Sequence, residues 1–188
     1  MDALTRDQQI ALLKLARKTI ACELGFPQAI ELDLSDDIYR EKCGAFVTLH
    51  IHGKLRGCIG YIQGVKDLPS TIIDMAKSSA FRDPRFPPLG REEYAHIDIE
   101  ISVLSPIVPV KDVAEITVGC DGLIISRGFN SGLLLPQVPV EQGWDCQTFL
   151  MHTCFKAGLP ANAWQDKGTR IEKFSAQVFG EKELGLIK

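Results

Sequence analysis

The sequence predicts an α+β fold, an antiparallel or mixed sheet of hairpins packed by helices. Three observations lead there. His96–Leu104 alternates strictly, with Ile97, Ile99, Ile101 and Val103 on one side and Asp98, Glu100 and Ser102 on the other, as a strand with one buried face does. Two more β-rich stretches each fold back through a glycine-bearing turn. Between these strands lie segments with the 3.6-residue apolar period and recognisable helix caps.

The elements follow in order. Thr5 and Gln8 form a T-x-x-Q capping box ahead of Ile10, Leu13, Ala16, Ile20 and Leu24, and Gly25 and Pro27 end that helix. Residues 26–42 are irregular, with acidic Asp33, Asp36 and Asp37. Ala45–Ile51 and Lys54–Ile62 read as a hairpin turning at His52-Gly53. A helix follows, with Asp67 as N-cap, Pro69 in its first turn and Leu68, Ile72, Ile73, Ala76 and Ala80 facing inward. Residues 82–95 carry three prolines and form a loop into the alternating strand, which Pro106 and Pro109 end. Gly122–Ser126 and Leu133–Val140 predict a second hairpin around Gly128–Gly132. A helix from Asp145 to Ala157, with Gly158 after it, precedes a loop bearing Trp164 and a last strand through Phe174, Ala176 and Val178.

Length and composition set the bounds. A chain of 188 residues suits one domain or two small lobes and buries roughly 70% of its unfolded surface. Hydrophobic residues at 45% and charged residues at 24% describe a soluble globular protein. A net charge of −3 argues against a broad nucleic-acid or anionic-membrane surface. The N-terminal residues lack the basic start and apolar block of a signal peptide, and no apolar run approaches the ~18 residues that span a bilayer. The expected location is the cytoplasm, with reduced thiols. The six cysteines form no C-x-x-C pair and their gaps are irregular, which reads neither as a zinc site nor as a disulfide framework.

The chemically richest stretch is Leu55-Arg56-Gly57-Cys58-Ile59-Gly60 on the return strand of the first hairpin. Plain alternation puts Arg56 and Cys58 on one face. A guanidinium beside a thiol favours the nucleophilic thiolate, and Gly57 and Gly60 leave backbone open to a ligand. Cys58 is therefore the candidate nucleophile and Arg56 the candidate anion anchor. The competing reading is a buried cysteine on a strand packed against a helix, its glycines relieving crowding. Glu100, on the polar face of the alternating strand, is a candidate orienting group. In the 82–86 loop the guanidiniums of Arg82 and Arg85 offer a grip for a carboxylate or phosphate, and the competing reading is an Asp83–Arg pair that rigidifies the loop with Phe86 as plug. His50 and His52, two apart on a strand, face one way, but no neighbouring third ligand is visible and no metal site is assigned. His152 sits about 200° around its helix from Cys154, so these two form no local dyad, whereas a reach to Cys58 across the fold stays open.

The order hairpin, helix, strand recurs. A shift of 77 residues lays Cys43 over Cys120, Thr71 over Thr148 and Ala80 over Ala157, an element order consistent with internal duplication although the identities are few. In that overlay the glycine-bearing strand corresponds to the strand bearing Pro136, and two irregular strands at matching positions point to one site between two lobes.

Residues 55–60 (LRGCIG), 82–86 (RDPRF), 99–106 (IEISVLSP), 132–138 (GLLLPQV) and 144–159 (WDCQTFLMHTCFKAGL) together resemble the AMMECR domain family, in order from about Leu12 to Phe179. The resemblance implies a single AMMECR domain over 1–188 with a larger and a smaller lobe, and a cleft that displays residues 55–60. The family has no established reaction; the sequence itself shows no complete nucleophile–base–orienter set, which favours a binding module for a small ligand or protein, with a thiol-dependent enzyme as the alternative, and cofactors stay unknown. Association of prokaryotic relatives with a Memo-like protein and a radical S-adenosylmethionine protein, the AmmeMemoRadiSam system, implies an accessory role in a modification pathway. The chain has no C-x₃-C-x₂-C motif, so cluster chemistry would belong to a partner. The motif positions implied are Leu55, Arg56, Gly57, Cys58, Ile59 and Gly60, of which Arg56, Gly57, Cys58 and Gly60 are the candidate site residues; Asp83, Arg85, Glu100, Pro136 and Gln137 are added as cleft candidates.

Overall fold

The computed structural model describes residues 3–27 and 32–187; part of the irregular stretch read at 26–42 lies outside them. The chain divides into two compact units, Met1–Leu104 with Gln177–Lys188, and Ser105–Ala176.

In the first unit, α1 (Arg6–Glu23) opens with the expected capping box: the Gln8 N–H donates to Thr5 Oγ1, and Gln8 Oε1 accepts from the Thr5 N–H at 2.8 Å. Gly25, in the left-handed region at φ 75°, follows its end. Strands β1 (Ala45–Ile51) and β2 (Lys54–Tyr61) form the first hairpin. Its turn residues His52 and Gly53 both have positive φ, the geometry of a type I′ turn. β1 also pairs antiparallel with β3 (Ile97–Leu104), which places it at the centre of three strands. Between β2 and β3 runs α2 (Leu68–Phe81), capped by Asp67, which accepts the Ser70 N–H at 2.9 Å. Leu13, Ile20, Leu49, Ile72, Met75 and Ile99 are fully or almost fully buried and make one core of α1, α2 and one sheet face.

The second unit holds β4 (Val108–Pro109), β5 (Asp121–Arg127), β6 (Asn130–Leu134), α3 (Gln137–Gln142), α4 (Cys146–Lys156) and most of β7 (Arg170–Gly180). Leu123, Ile125, Phe149, Leu150 and Cys154 form its core. The hydrogen-bonded strand order is β2-β1-β3-β7-β5-β6, with β4 on β7; the last residues of β7 belong to the first unit. No helix of the described residues is long and apolar enough to cross a membrane.

Three expectations need correction here. The second hairpin turns on Gly128 and Phe129 alone, since Asn130 already pairs with Arg127. Its return strand ends at Leu134, not Val140. Pro136 is the N-cap of α3, where a missing N–H costs nothing, and Gly143 at φ 66° ends that helix. Pro136 is thus not an irregular strand residue, and it loses its correspondence with the β2 glycines. Pro109, expected only to terminate a strand, lies in the two-residue β4 paired with Lys173 and Glu172.

A different glycine supplies the internal likeness. A Cβ on Gly57 would lie 2.1 Å from the Ser79 carbonyl oxygen, and one on Gly132 would lie 2.3 Å from the Ala157 nitrogen. Each unit therefore runs the return strand of its hairpin against the end of a later helix, α2 in the first and α4 in the second, with no room for a methyl group. Both of these helices are capped by an aspartate, Asp145 accepting the Thr148 N–H at 2.8 Å as Asp67 does that of Ser70.

Candidate functional site

A two-residue turn at His52-Gly53 sets an ideal register in which Thr48 faces Gly57 and Val47 faces Cys58. Near the turn the register keeps to that rule, with Ile51 opposite Lys54 and His50 opposite Leu55. Then it slips. Leu49 pairs with Gly57 and Thr48 with Cys58, leaving Arg56 as the extra residue of a β-bulge. A slip of one residue turns every following side chain to the other face. Gly57 consequently faces the core with Leu49 and passes under Ser79, while Cys58 joins Thr48 on the face away from the helices. Without the bulge Cys58 would sit opposite buried Val47.

The bulge also corrects the expectation that Arg56 and Cys58 share a face. Arg56 is buried, and its guanidinium is committed elsewhere: Nε donates to Glu93 Oε1 at 2.7 Å, and Nη2 donates to Glu93 Oε2 at 3.0 Å and to the Pro87 carbonyl at 2.9 Å. Arg56 Nη1 is buried without a partner among the described residues. Glu93 accepts the Gly90 N–H as well, and Arg56 foremost holds its carboxyl below the usual range. Arg56 therefore pins the 82–96 loop onto β2.

The same loop holds the strand at Cys58. β2 ends the strand order, and an open edge presents unpaired peptide groups. Asp83 Oδ2 accepts the Cys58 N–H at 2.9 Å, and Arg85 Nη2 donates to the Cys58 carbonyl at 3.1 Å. The two residues are joined by Arg85 Nε to Asp83 Oδ1 at 2.9 Å and Nη2 to Oδ2 at 2.7 Å. Together they occupy the edge as a neighbouring strand would. Phe86 lies under both guanidiniums, 5.8 Å from that of Arg56 and 5.6 Å from that of Arg85.

What remains displayed is a row across three strands, Cys58 on β2, Thr48 on β1 and Glu100 on β3, paired in register. Thr48 Oγ1 donates to Cys58 Sγ at 3.2 Å, and all three residues are partly exposed. Gly60, two residues on, lies against the Phe46 ring, where a Cβ would meet ring carbons at 2.2 Å. Thr48 and Glu93 escaped sequence reasoning. The hairpin turn alone assigns Thr48 to the wrong neighbour, and nothing in a proline-rich loop marks Glu93 as the partner of Arg56.

Other candidates have local roles. His50 stands opposite Asp98 in the ladder, but His52 has left the strand at φ 51° and its ring faces His96, so the two do not converge. His152 is stacked on Trp144 with ring centroids 3.9 Å apart and meets the Phe155 ring edge-on. Pro136 and Gln137 start α3 in the second unit. Among the described residues no group of three or more His, Cys, Asp or Glu side chains has the arrangement to hold a metal ion.

Asp83 makes a pH prediction. Arg85, and then the Cys58 N–H, hold its carboxyl well below the ordinary value of about 3.9, although burial opposes this. A carboxyl whose folded pKa is depressed stabilises fully above its unfolded pKa and loses that contribution progressively as pH falls from the unfolded value through the folded one. Thermal melts of wild type and Asp83→Asn should therefore differ at neutral pH, and converge only in strong acid. A constant gap across the acid range would assign the effect to shape instead of charge.

Alternating strands, two hairpin-and-helix units and a loop-sealed strand edge define a mixed α+β domain. The chain belongs to the AMMECR1 family, whose model matches residues 13–179. A protein of Methanothermobacter thermautotrophicus is 48% identical over 185 residues, covering 95% of this chain and 96% of that one. One from Methanocaldococcus jannaschii is 41% identical over 191 residues, covering 97% and 94%. The crystal structure of a Pyrococcus horikoshii protein is similar with a TM-score of 0.79 at 43% identity, covering 91% of this chain and 90% of that one.

Proposed function

We propose that the protein is a binding module whose recognition surface is the Cys58–Thr48–Glu100 row on the first unit's sheet. The observation that carries this reading is the bulge at Arg56, which turns Cys58 out of the core. The surroundings of that row are built for rigidity: Arg56, Asp83, Arg85 and Glu93 are spent on fixing the strand, so their charges preorganise the row instead of meeting the ligand. The partly exposed residues of the row carry a thiol, a hydroxyl and a carboxylate, which match a small polar ligand with hydrogen-bond donors or a protein segment presenting them. Within the family's association with Memo-like and radical S-adenosylmethionine proteins, such a module would act as an accessory component in the cytoplasm.

A second reading, a thiol-dependent enzyme with Cys58 as nucleophile, is favoured by one contact. The Thr48 hydroxyl donates to Sγ at 3.2 Å and so orients the sulfur on the partly exposed face. Arg56 is not the anion anchor in this version, because its guanidinium is buried against Glu93.

One experiment separates them. Thermal-shift screening against a metabolite collection is followed by iodoacetamide alkylation of Cys58, read by mass spectrometry. Compounds that raise Tm should protect Cys58 of the wild type, and Cys58→Ser should still bind them. A mass adduct on Cys58, with binding lost in Cys58→Ser, would transfer the case to the enzyme. Stabilising compounds that leave Cys58 alkylation unchanged would remove the row from the binding surface.

A further inference from the structure

We propose that His52 and His96 form a two-histidine site for a divalent transition-metal ion, its remaining coordination completed by water. The two imidazoles come from distant points of the sequence. His52 is the first turn residue of the β1–β2 hairpin, and His96 ends a single 3₁₀ turn that leads into β3. β1 and β3 are in register up to Ile51 opposite Ile97, so the next residue on β1 and the previous one before β3 are brought side by side. Their ring centroids are 5.9 Å apart with planes tilted by 38°.

That separation suits a shared ion. One nitrogen of each ring at about 2.0–2.1 Å from a metal places the ring centroids roughly 4.5–6.5 Å apart, according to the N–metal–N angle. Both residues are exposed, so an ion reaches them without rearrangement of the core. The left-handed φ of 51° at His52 holds the ring out of the strand's alternation and towards His96 instead of beside His50. No third His, Cys, Asp or Glu joins the pair among the described residues. Two imidazoles and open positions favour borderline ions that prefer nitrogen donors, in the order copper above nickel and zinc, and give no purchase to magnesium or calcium, which need oxygen ligands.

The site would tie the hairpin turn to the segment that carries Asp83, Arg85 and Glu93. An ion held there fastens both attachments of the β2 strand at once. It is a site separate from the Cys58 row and does not rest on the reading given for that row.

The test titrates Cu²⁺, Ni²⁺, Zn²⁺, Mg²⁺ and Ca²⁺ separately into the full chain by isothermal calorimetry, with thermal melts in parallel. Nickel and zinc should bind and raise Tm, because a ligand of the native state alone stabilises it. His52→Ala and His96→Ala should each lose that heat and that shift, and His50→Ala should keep both. If His52→Ala and His96→Ala bind nickel and zinc as the wild type does, the ions sit on cysteines or elsewhere and the proposal is overturned. Equal binding of magnesium, or no binding of any transition ion to the wild type, overturns it too.

Discussion

Gly57→Ala should lose about 3 kcal/mol of stability, the upper end of what overpacking costs. The added Cβ would stand 2.1 Å from the Ser79 carbonyl oxygen, and 3.1 Å from its carbon. Both atoms are helix backbone, so no side chain can swing aside; α2 must lift from the sheet or β2 must shift. Urea unfolding measures the loss. Gly25→Ala serves as the reference for backbone conformation alone, because its Cβ meets nothing within 4 Å while its φ of 75° is left-handed. That variant should lose only about 1–2 kcal/mol. A Gly57→Ala protein as stable as wild type would mean that the close approach of β2 to α2 is wrong.

Glu181→Ala should be comparably damaging, at about 3–5 kcal/mol. Glu181 is 2% exposed and sits between α1 and β3. Its Oε1 accepts from Arg17 Nε at 2.5 Å, and its Oε2 accepts from Arg17 Nη2 at 2.6 Å and from the Ile99 N–H at 2.9 Å. Arg17 Nη2 also donates to the Ile97 carbonyl at 2.8 Å. Truncating the glutamate strands a partly buried guanidinium and a buried peptide N–H together. Because Arg17 keeps 22% of its side chain in water, the lower half of that range is the better expectation. The double variant Arg17→Met with Glu181→Leu removes the stranded charge and should recover most of the loss. A double variant no better than Glu181→Ala would show that shape, and not the uncompensated charge, sets the cost.

These effects divide along what a sequence encodes locally. The capping box at Thr5, the Asp67 cap, the tight turn at His52-Gly53 and the alternation from Ile97 to Ile101 are all short-range signals, and each formed as read, whereas Ser102, placed on the polar face by alternation, is buried. The second hairpin departs from the sequence expectation over residues 128–140 because Pro136 is compatible with a strand's end and with a helix's start. Only the pairing of Asn130 with Arg127 decides between them.

The candidate site was legible as residues but not as an arrangement. Arg56, Gly57, Cys58, Asp83 and Arg85 do meet, yet in other relations than alternation implied. Asp83 and Arg85 pair with each other and grip a peptide group of β2, an arrangement nearer to the loop-rigidifying pair than to the anion grip, both of which the sequence left open. Arg56 faces Glu93 instead of flanking the thiol. A bulge carries no reliable sequence mark, since its cost is set by what the slipped register gains. Here the gain is a glycine under Ser79 and an arginine buried on the following loop.

By itself, then, the sequence determined the long helices α1, α2 and α4, the strands of the first hairpin, β3, the first turn and the identity of the reactive groups, because caps, period and turn chemistry act within a few residues. The tertiary structure alone decided which face Cys58 occupies, which carboxylate Arg56 meets and which histidine His52 meets. Each of those depends on a register or a contact between segments more than thirty residues apart, or on a one-residue slip that only packing selects.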